Sequence, residues 1–144
     1  SNAALGLCRV FACSIEIQEI ILEIQKKLYQ VMGEVAAEKE IAEKFRSINQ
    51  ESVIWIENKI ETISEKTSIP AEFIVPGDTK GGAFLALSRT MVRRAERRLA
   101  ELLDQEIIEN HDLLKFLNRL SSLLFNLELY ENFVSGKGDQ TLVK

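Results

Sequence analysis

Between Arg89 and Arg98, five arginines and one glutamate fall within ten residues, in a stretch that otherwise carries a helical period. At about 100° per residue, Phe84, Ser88, Met91, Ala95 and Leu102 gather on one side, flanked by Leu85, Val92 and Leu99. Arg89, Arg93 and Glu96 form a second row at i, i+4 and i+7, roughly 130° round the helix from the first. Ala86 and Ala100 continue that row, so little bulk stands beside the charges. The chain must therefore cover one face of this helix while leaving a narrow Arg-Arg-Glu row open, an arrangement suited to a polyanion. The alternative is a solvated face with i,i+4 pairing, worth a few tenths of a kcal/mol per pair.

The rest of the chain reads as further helices. A short, mostly apolar piece spans residues 4–12. A clearer helix runs from Ile15 to Ala37, with Ile17, Ile20, Ile21, Ile24, Leu28 and Val31 at helical spacing and Ser14 as its cap. Gly33 inside it costs about 1 kcal/mol, which suggests close approach of another helix. Glu38 to Phe45 has no strong period. Ser47 to Ser64 is a third helix, with Asn49 as candidate cap and Val53, Ile56, Ile60 and Ile63 as anchors. Pro70 and Pro76-Gly77-Asp78 bracket an extended connector, Phe73 to Val75, that leads into the Arg helix of about Gly82 to Gln105. The last helix, capped by Asn110 or Asp112 and continuing to about Phe133, is apolar on most sides and so belongs at a bundle centre or between subunits. The expected fold is an all-α up-and-down bundle of four long helices plus a short first one. Residues 1–3 look like the remnant of a cleaved tag, 4–134 form the bundle, and 135–144 are a Gly-rich, polar, flexible tail.

At 144 residues the chain is one domain by length, long enough to bury roughly 70% of its unfolded surface. A formal net charge of −4 argues against a general nucleic-acid binder, because the basic character is confined to one helix. No apolar run approaches a membrane span. Cys8 and Cys13 are isolated thiols and His111 stands alone, so neither a disulfide framework nor a protein-built metal site is expected. A cytoplasmic location follows as the expectation.

Three blocks flank and include the Arg helix: Phe73-Ile74-Val75-Pro76-Gly77 with Gly81-Gly82 after it, then Arg89-Thr90-Met91-Val92-Arg93-Arg94-Ala95-Glu96-Arg97-Arg98, then Leu117-Asn118-Arg119-Leu120-Ser121-Ser122-Leu123-Leu124-Phe125. In order and separation they resemble the signature of the PduO-type ATP:cob(I)alamin adenosyltransferases over roughly residues 4–130. That family carries Phe-Ile-Leu-Pro-Gly-Gly, Arg-Thr-x-x-Arg-Arg-Ala-Glu-Arg-Arg and Leu-Asn-Arg-Leu-Ser-Asp-x-Leu-Phe. The resemblance implies transfer of the 5'-deoxyadenosyl group of ATP, bound with a divalent cation, to the cobalt of reduced cobalamin, with release of triphosphate. The nucleophile is the cofactor's Co(I), so no side chain need supply one.

The resemblance also assigns roles. Arg93 neutralises the phosphates and the leaving triphosphate, as a guanidinium fork suits. Arg89 matches an arginine that the family ties to an aspartate near the chain's start. Glu96 either contacts nucleotide or orients Arg93. Asn118 contacts nucleotide, or else makes a structural hydrogen bond among the leucines around it. Phe73 packs beneath the corrin ring and displaces its lower axial ligand, or is an ordinary core aromatic. A homotrimer with the site between subunits is implied, as is a reductase that delivers electrons.

The sequence departs from the pattern in places. The family's Gly-Asp-Lys-Gly nucleotide loop, and the aspartate partner of Arg89, are expected before Ala4 and do not appear in these residues. Ser122 replaces the aspartate of Leu-Ser-Asp, and Asp78 replaces the second glycine of Pro-Gly-Gly. The string Ser135-Gly136-Lys137-Gly138-Asp139-Gln140-Thr141 is a faint counterpart of the loop at the other end. A polypeptide without that loop is expected to turn over near background. The competing reading is a catalytically lapsed homologue that binds corrinoid or nucleotide, or serves only in assembly.

Overall fold

A computed structural model describes residues 1–38, 41–137 and 140–143. Among the described residues six helices follow one another: α1 Asn2–Phe11, α2 Ile15–Ala36, α3 Ala42–Phe45, α4 Gln50–Ser64, α5 Lys80–Asp104 and α6 His111–Val134. The four long helices and the short first one are those expected, and α3 is a single turn in the stretch that lacked a period. The one piece of β-pairing among the described residues is an isolated antiparallel bridge between Ile74 and Leu142.

Local chemistry sets the starts. Asn49 Oδ1 accepts from Ser52 N–H at 3.1 Å, Thr79 Oγ1 from Gly82 N–H at 2.9 Å, and Asn110 Oδ1 from Asp112 N–H at 3.0 Å. Each satisfies a donor that the first turn would leave bare, worth about 1 kcal/mol. Ser14 stands at the N-cap of α2 but makes no side-chain cap bond. The α5–α6 turn is tight: Glu106 takes φ 56°, and Ile107 N–H reaches back to Leu102 O at 3.0 Å, closing α5 in a left-handed cap. That reversal lays α6 antiparallel along α5.

α6 is the central helix, packed against α5 on one side and α4 on the other, while α1 lies against α5 and α2. Its nearly all-round apolar sequence is accounted for within the chain: Leu113, Phe116, Leu120, Leu123, Leu124 and Leu127 are all fully buried. The buried face of α5 is centred on Leu85, Ser88, Val92 and Leu99, and Met91, expected at the centre of the apolar face, is 38% exposed. The shift has a cause: α5 must meet α1 as well as α6, so its covered arc is displaced from the sequence's apolar centre. Gly33 meets nothing within 4 Å of where a Cβ would stand, so no helix approaches it.

The close approach occurs at Gly81 and Gly82 in the first turn of α5. A Cβ on Gly81 would strike the Glu131 carboxyl group, and one on Gly82 would strike Asn132 Oδ1 and Thr79 Oγ1. Glu131 is fully buried and accepts from Cys13 N–H at 3.0 and 3.1 Å, tying the α1–α2 link to the end of α6. At the opposite end, buried Glu34 accepts from Asn110 Nδ2 at 2.6 Å, and Asn110 also donates to Ile48 O at 2.8 Å. These polar ties lock helix ends that the apolar core cannot register by itself. No helix among the described residues is long and apolar enough to cross a membrane.

Within 135–144, expected as a tail, Val75 N–H donates to Thr141 O at 2.7 Å and Val143 N–H to Phe73 O at 2.8 Å. Gly138 and Asp139 of the Gly-Lys-Gly-Asp string lie outside the described residues.

Candidate active site

The antiparallel register of α5 and α6 brings two sequence blocks into one groove. Arg89 stands opposite Phe125, its guanidinium carbon 5.1 Å from the ring centroid. Seven residues on along α5, Glu96 stands opposite Asn118, seven residues back along α6, and Asn118 Nδ2 donates to Glu96 Oε1 at 2.8 Å. The two pairings lie about 10 Å apart along the groove. Between them, Arg93 Nη1 donates to Glu96 Oε2 at 2.8 Å. Both oxygens of one carboxylate are thereby engaged, one by each block.

Exposure divides the labour. The Glu96 side chain is 13% exposed and that of Arg93 is 51% exposed. The carboxylate is thus a half-hidden anchor, and the guanidinium stands above it with outward donors for an anion. An exposed i,i+3 pair adds little to stability, so its interest lies in holding the fork at one angle. Asn118 is itself exposed. Its place among leucines in the sequence suggested burial, but it stands at the rim of α6 and finds its partner across the groove. Arg98, on another side of α5, pairs with Glu101 at 2.8 Å and is well exposed.

Two recesses flank this network. A recess of about 580 Å³ beside Glu96 and Asn118 is lined by Gln50, Val53, Glu57, Arg97, Ala100, Leu114, Lys115 and Arg119 as well. Its walls combine apolar surface from α4 and α6 with charged rims, which suits a flat polar ring attached to an anion. At the other end, a smaller recess of about 280 Å³ is lined by Pro70, Ala71, Glu72, Phe73, Ile74, Arg89 and Phe125. Phe73 is 85% exposed there, which rules out its being a core aromatic in this chain. Such a ring on a connector is available for an apolar face brought from outside.

Two carboxyl groups stand near this end: Glu128, which sequence reasoning missed, and Asp78, which it noted only as a departure from Pro-Gly-Gly. Glu128 is 2% exposed and its Oε1 has no hydrogen-bond partner. Burial pushes its pKa up to about 7, Arg89 pulls it down, and Asp78 pushes it further up. Its signal was a charge at the middle of Leu127-Glu128-Leu129, inside a helix otherwise apolar all round. Asp78 accepts from Thr141 N–H at 2.9 Å and from the Thr141 hydroxyl at 2.5 Å, bonds that hold its pKa below the ordinary carboxylate value. Among the described residues no group of three His, Cys, Asp or Glu side chains could hold a metal ion.

Comparison with known proteins agrees with the geometry. The sequence model of the cobalamin adenosyltransferase family matches residues 1–131. The chain is 36% identical over 132 residues to the corrinoid adenosyltransferase PduO of Citrobacter freundii, covering 91% of this chain and 39% of that protein. It is 35% identical over 119 residues to a corrinoid adenosyltransferase of Bacillus subtilis, covering 83% of this chain and 60% of that protein. It therefore spans less than two thirds of either relative. Among solved structures, a variant PduO-type adenosyltransferase from Lactobacillus reuteri complexed with ATP superposes with a TM-score of 0.88 at 27% identity, covering 99% of this chain and 81% of that one. Another variant, complexed with cobalamin and ATP, superposes at 0.87 with 28% identity, covering 99% and 80%. The chain belongs to the cobalamin adenosyltransferase family.

Proposed function

We propose that the chain is an ATP:corrinoid adenosyltransferase that moves the 5'-deoxyadenosyl group of ATP onto the cobalt of reduced cobalamin. The observation that carries this reading is the single carboxylate of Glu96 joined to both Arg93 and Asn118, in a groove whose other end holds Phe73, Arg89 and Phe125. Arg93 grips the phosphates and takes up the charge of the departing triphosphate, a role in which a permanently charged fork outperforms any titrating group. Glu96 and Asn118 orient that fork and meet the nucleoside at the 580 Å³ recess. Phe73 covers the lower face of the corrin. Expelling the lower axial ligand there raises the Co(II)/Co(I) potential and brings Co(I) within reach of a reductase partner.

A homotrimer is part of this reading. Leu7 and Val10 on α1, and Leu87 and Met91 on α5, are large apolar side chains left exposed on two helices that pack together. A patch of that kind suits a subunit contact. Light scattering checks it, and a strict monomer at tens of micromolar would count against it. The site is read as cytoplasmic, where reduced thiols and a corrinoid reductase coexist.

The deciding experiment is single-turnover incubation with ATP and chemically generated cob(I)alamin, followed by the adenosylcobalamin spectrum. A small formation, close to but above the protein-free background, abolished by Arg93→Ala and untouched by Arg98→Ala, is expected. No formation above background together with no measurable ATP binding would overturn the reading.

A further inference from the structure

The Phe73 connector has little of its own to hold it. Its ring is 85% exposed, it lies between Pro70 and Pro76, and it belongs to no helix. What fixes its backbone comes from the far end of the chain. Phe73 O accepts from Val143 N–H, and Val75 N–H donates to Thr141 O, so Thr141–Val143 runs as a short antiparallel partner with Ile74 opposite Leu142. Two backbone bonds alone make a marginal pairing.

A second set of contacts secures it. Asp78, three residues after Val75, takes both the backbone N–H and the hydroxyl of Thr141 on its two carboxylate oxygens. Next to Thr141, Gln140 Oε1 accepts from Asn132 Nδ2 at 2.8 Å, and Asn132 Oδ1 accepts from the Thr79 hydroxyl at 2.7 Å. Thr79 is the N-cap of α5. The paired segment is therefore referenced through hydrogen bonds to the rigid start of the helix that carries Arg89 and Arg93. Asp78 stands where the family pattern has glycine, and a glycine could make neither contact with Thr141.

We propose that Asp78 and Thr141 are positioning residues for Phe73, clasping Thr141–Val143 onto the Phe73–Val75 connector and so setting the place of the Phe73 ring relative to a bound corrin. The role rests on the reading that Phe73 meets the corrin's lower face. It is separable from nucleotide binding, because Asp78 stands just before the start of α5, about 20 Å of helix away from Arg93. Both carboxylate oxygens are used on one threonine, which points to retention of this segment rather than to solvation of the turn.

The test uses the full chain with Asp78→Ala, Asp78→Asn and Thr141→Val. Hydrogen exchange at the Val75 and Val143 amides, measured without ligand, reads the clasp directly. Cob(II)alamin added with ATP, followed by absorption and electron spin resonance for cobalt lacking its lower ligand, reads the positioning. Asp78→Ala is expected to speed both amides and to reduce the fraction of ligand-free cobalt, each by about tenfold, with ATP affinity unchanged. Thr141→Val should do part of this. Asp78→Asn should restore most of it, since an amide can accept from the Thr141 N–H and donate to its hydroxyl. Unchanged exchange in Asp78→Ala overturns the clasp. Faster exchange with an unchanged cobalt spectrum overturns the positioning role. If the unsubstituted chain itself never shows ligand-free cobalt, the corrin reading fails and takes the positioning role with it. In that case the exchange measurement still decides whether the clasp exists.

Discussion

Glu96 and Asn118, 22 residues apart in sequence, share a 2.8 Å hydrogen bond across the groove between α5 and α6. Because the other Glu96 oxygen holds Arg93, this bond couples the position of the guanidinium to the packing of the two helices. Under the proposed function Arg93→Ala would remove a charge-assisted phosphate contact, and it should weaken ATP binding by about tenfold to a hundredfold, or roughly 1.5–3 kcal/mol. Arg98→Ala should leave it unchanged, since that side chain is engaged with Glu101. Calorimetric titration of ATP into each variant checks the difference, and equal losses would remove any special role for the Arg-Arg-Glu row.

Asn118→Ala tests the amide, as orienter of the fork and as nucleoside contact, against a purely structural role. It leaves Arg93 in place but frees one Glu96 oxygen, so the fork loses its reference to α6. If the bond only ties helices together, thermal stability falls and ATP affinity does not. If it holds the fork, affinity drops by about three- to tenfold, while the helical circular dichroism stays native. The second outcome is expected, because Asn118 is exposed and little packing depends on it.

Glu128 makes stability pH-dependent in a predictable direction. Its folded pKa of about 7 lies above the ordinary 4.5, so the folded state binds the proton more tightly than the unfolded chain. Its protonated form fits the fold below pH 4.5, and the penalty grows as pH rises through the window up to 7. Glu128→Gln, which stays neutral, should therefore change little at pH 4 and stabilise the protein by up to about 3 kcal/mol at pH 8. Urea unfolding at the two pH values measures this. Equal effects at both would mean that the carboxyl finds water or a partner in solution.

Gly82→Ala should be destabilising where helix propensity predicts the opposite. In an open first turn, alanine gains about 0.5–1 kcal/mol over glycine. Here the added methyl meets Asn132 Oδ1 and Thr79 Oγ1, the acceptor and donor of the 2.7 Å bond at the α5 N-cap. Losing that bond and straining the cap should cost about 1–3 kcal/mol net. Gly33→Ala, with nothing near its Cβ, should instead stabilise by up to about 1 kcal/mol. A denaturation midpoint for each variant checks the opposite signs.

These residues show what a sequence can and cannot reveal. The helices of the bundle were legible because apolar spacing and Asn49 and Asn110 caps are local signals, and the Arg-Arg-Glu row was legible because it repeats at helical spacing. The groove needed the α5–α6 register, which is fixed by the Glu106 turn and by packing, so the Glu96–Asn118 bond could not be read from either block alone. Met91 and Gly33 misled for the same reason: which arc of a helix is covered depends on neighbours that no local pattern names. The pairing of Thr141 with Asp78 spans 63 residues, and nothing in a Gly-rich, polar end announces it.

Phe73 offers the sharpest separation of stability from function. Its ring is 85% exposed, so Phe73→Ala forfeits almost no buried area and should change unfolding free energy by less than about 0.5 kcal/mol. The connector's backbone bonds to Val143 and Thr141 do not involve the ring, so the local fold should persist, and exchange at Val75 should stay slow. ATP affinity should also hold, since Arg93, Glu96 and Asn118 are untouched. What should disappear is the ring's contact with a corrin, and with it the exclusion of water or a lower ligand from the cobalt. Cob(II)alamin should then bind with its lower ligand retained, and adenosylcobalamin formation under limiting reductant should fall by at least about tenfold, more than it falls with pre-formed cob(I)alamin. An equal loss with both cobalt states would place Phe73 in transfer itself, and no loss in either would leave the exposed ring without a part in the chemistry.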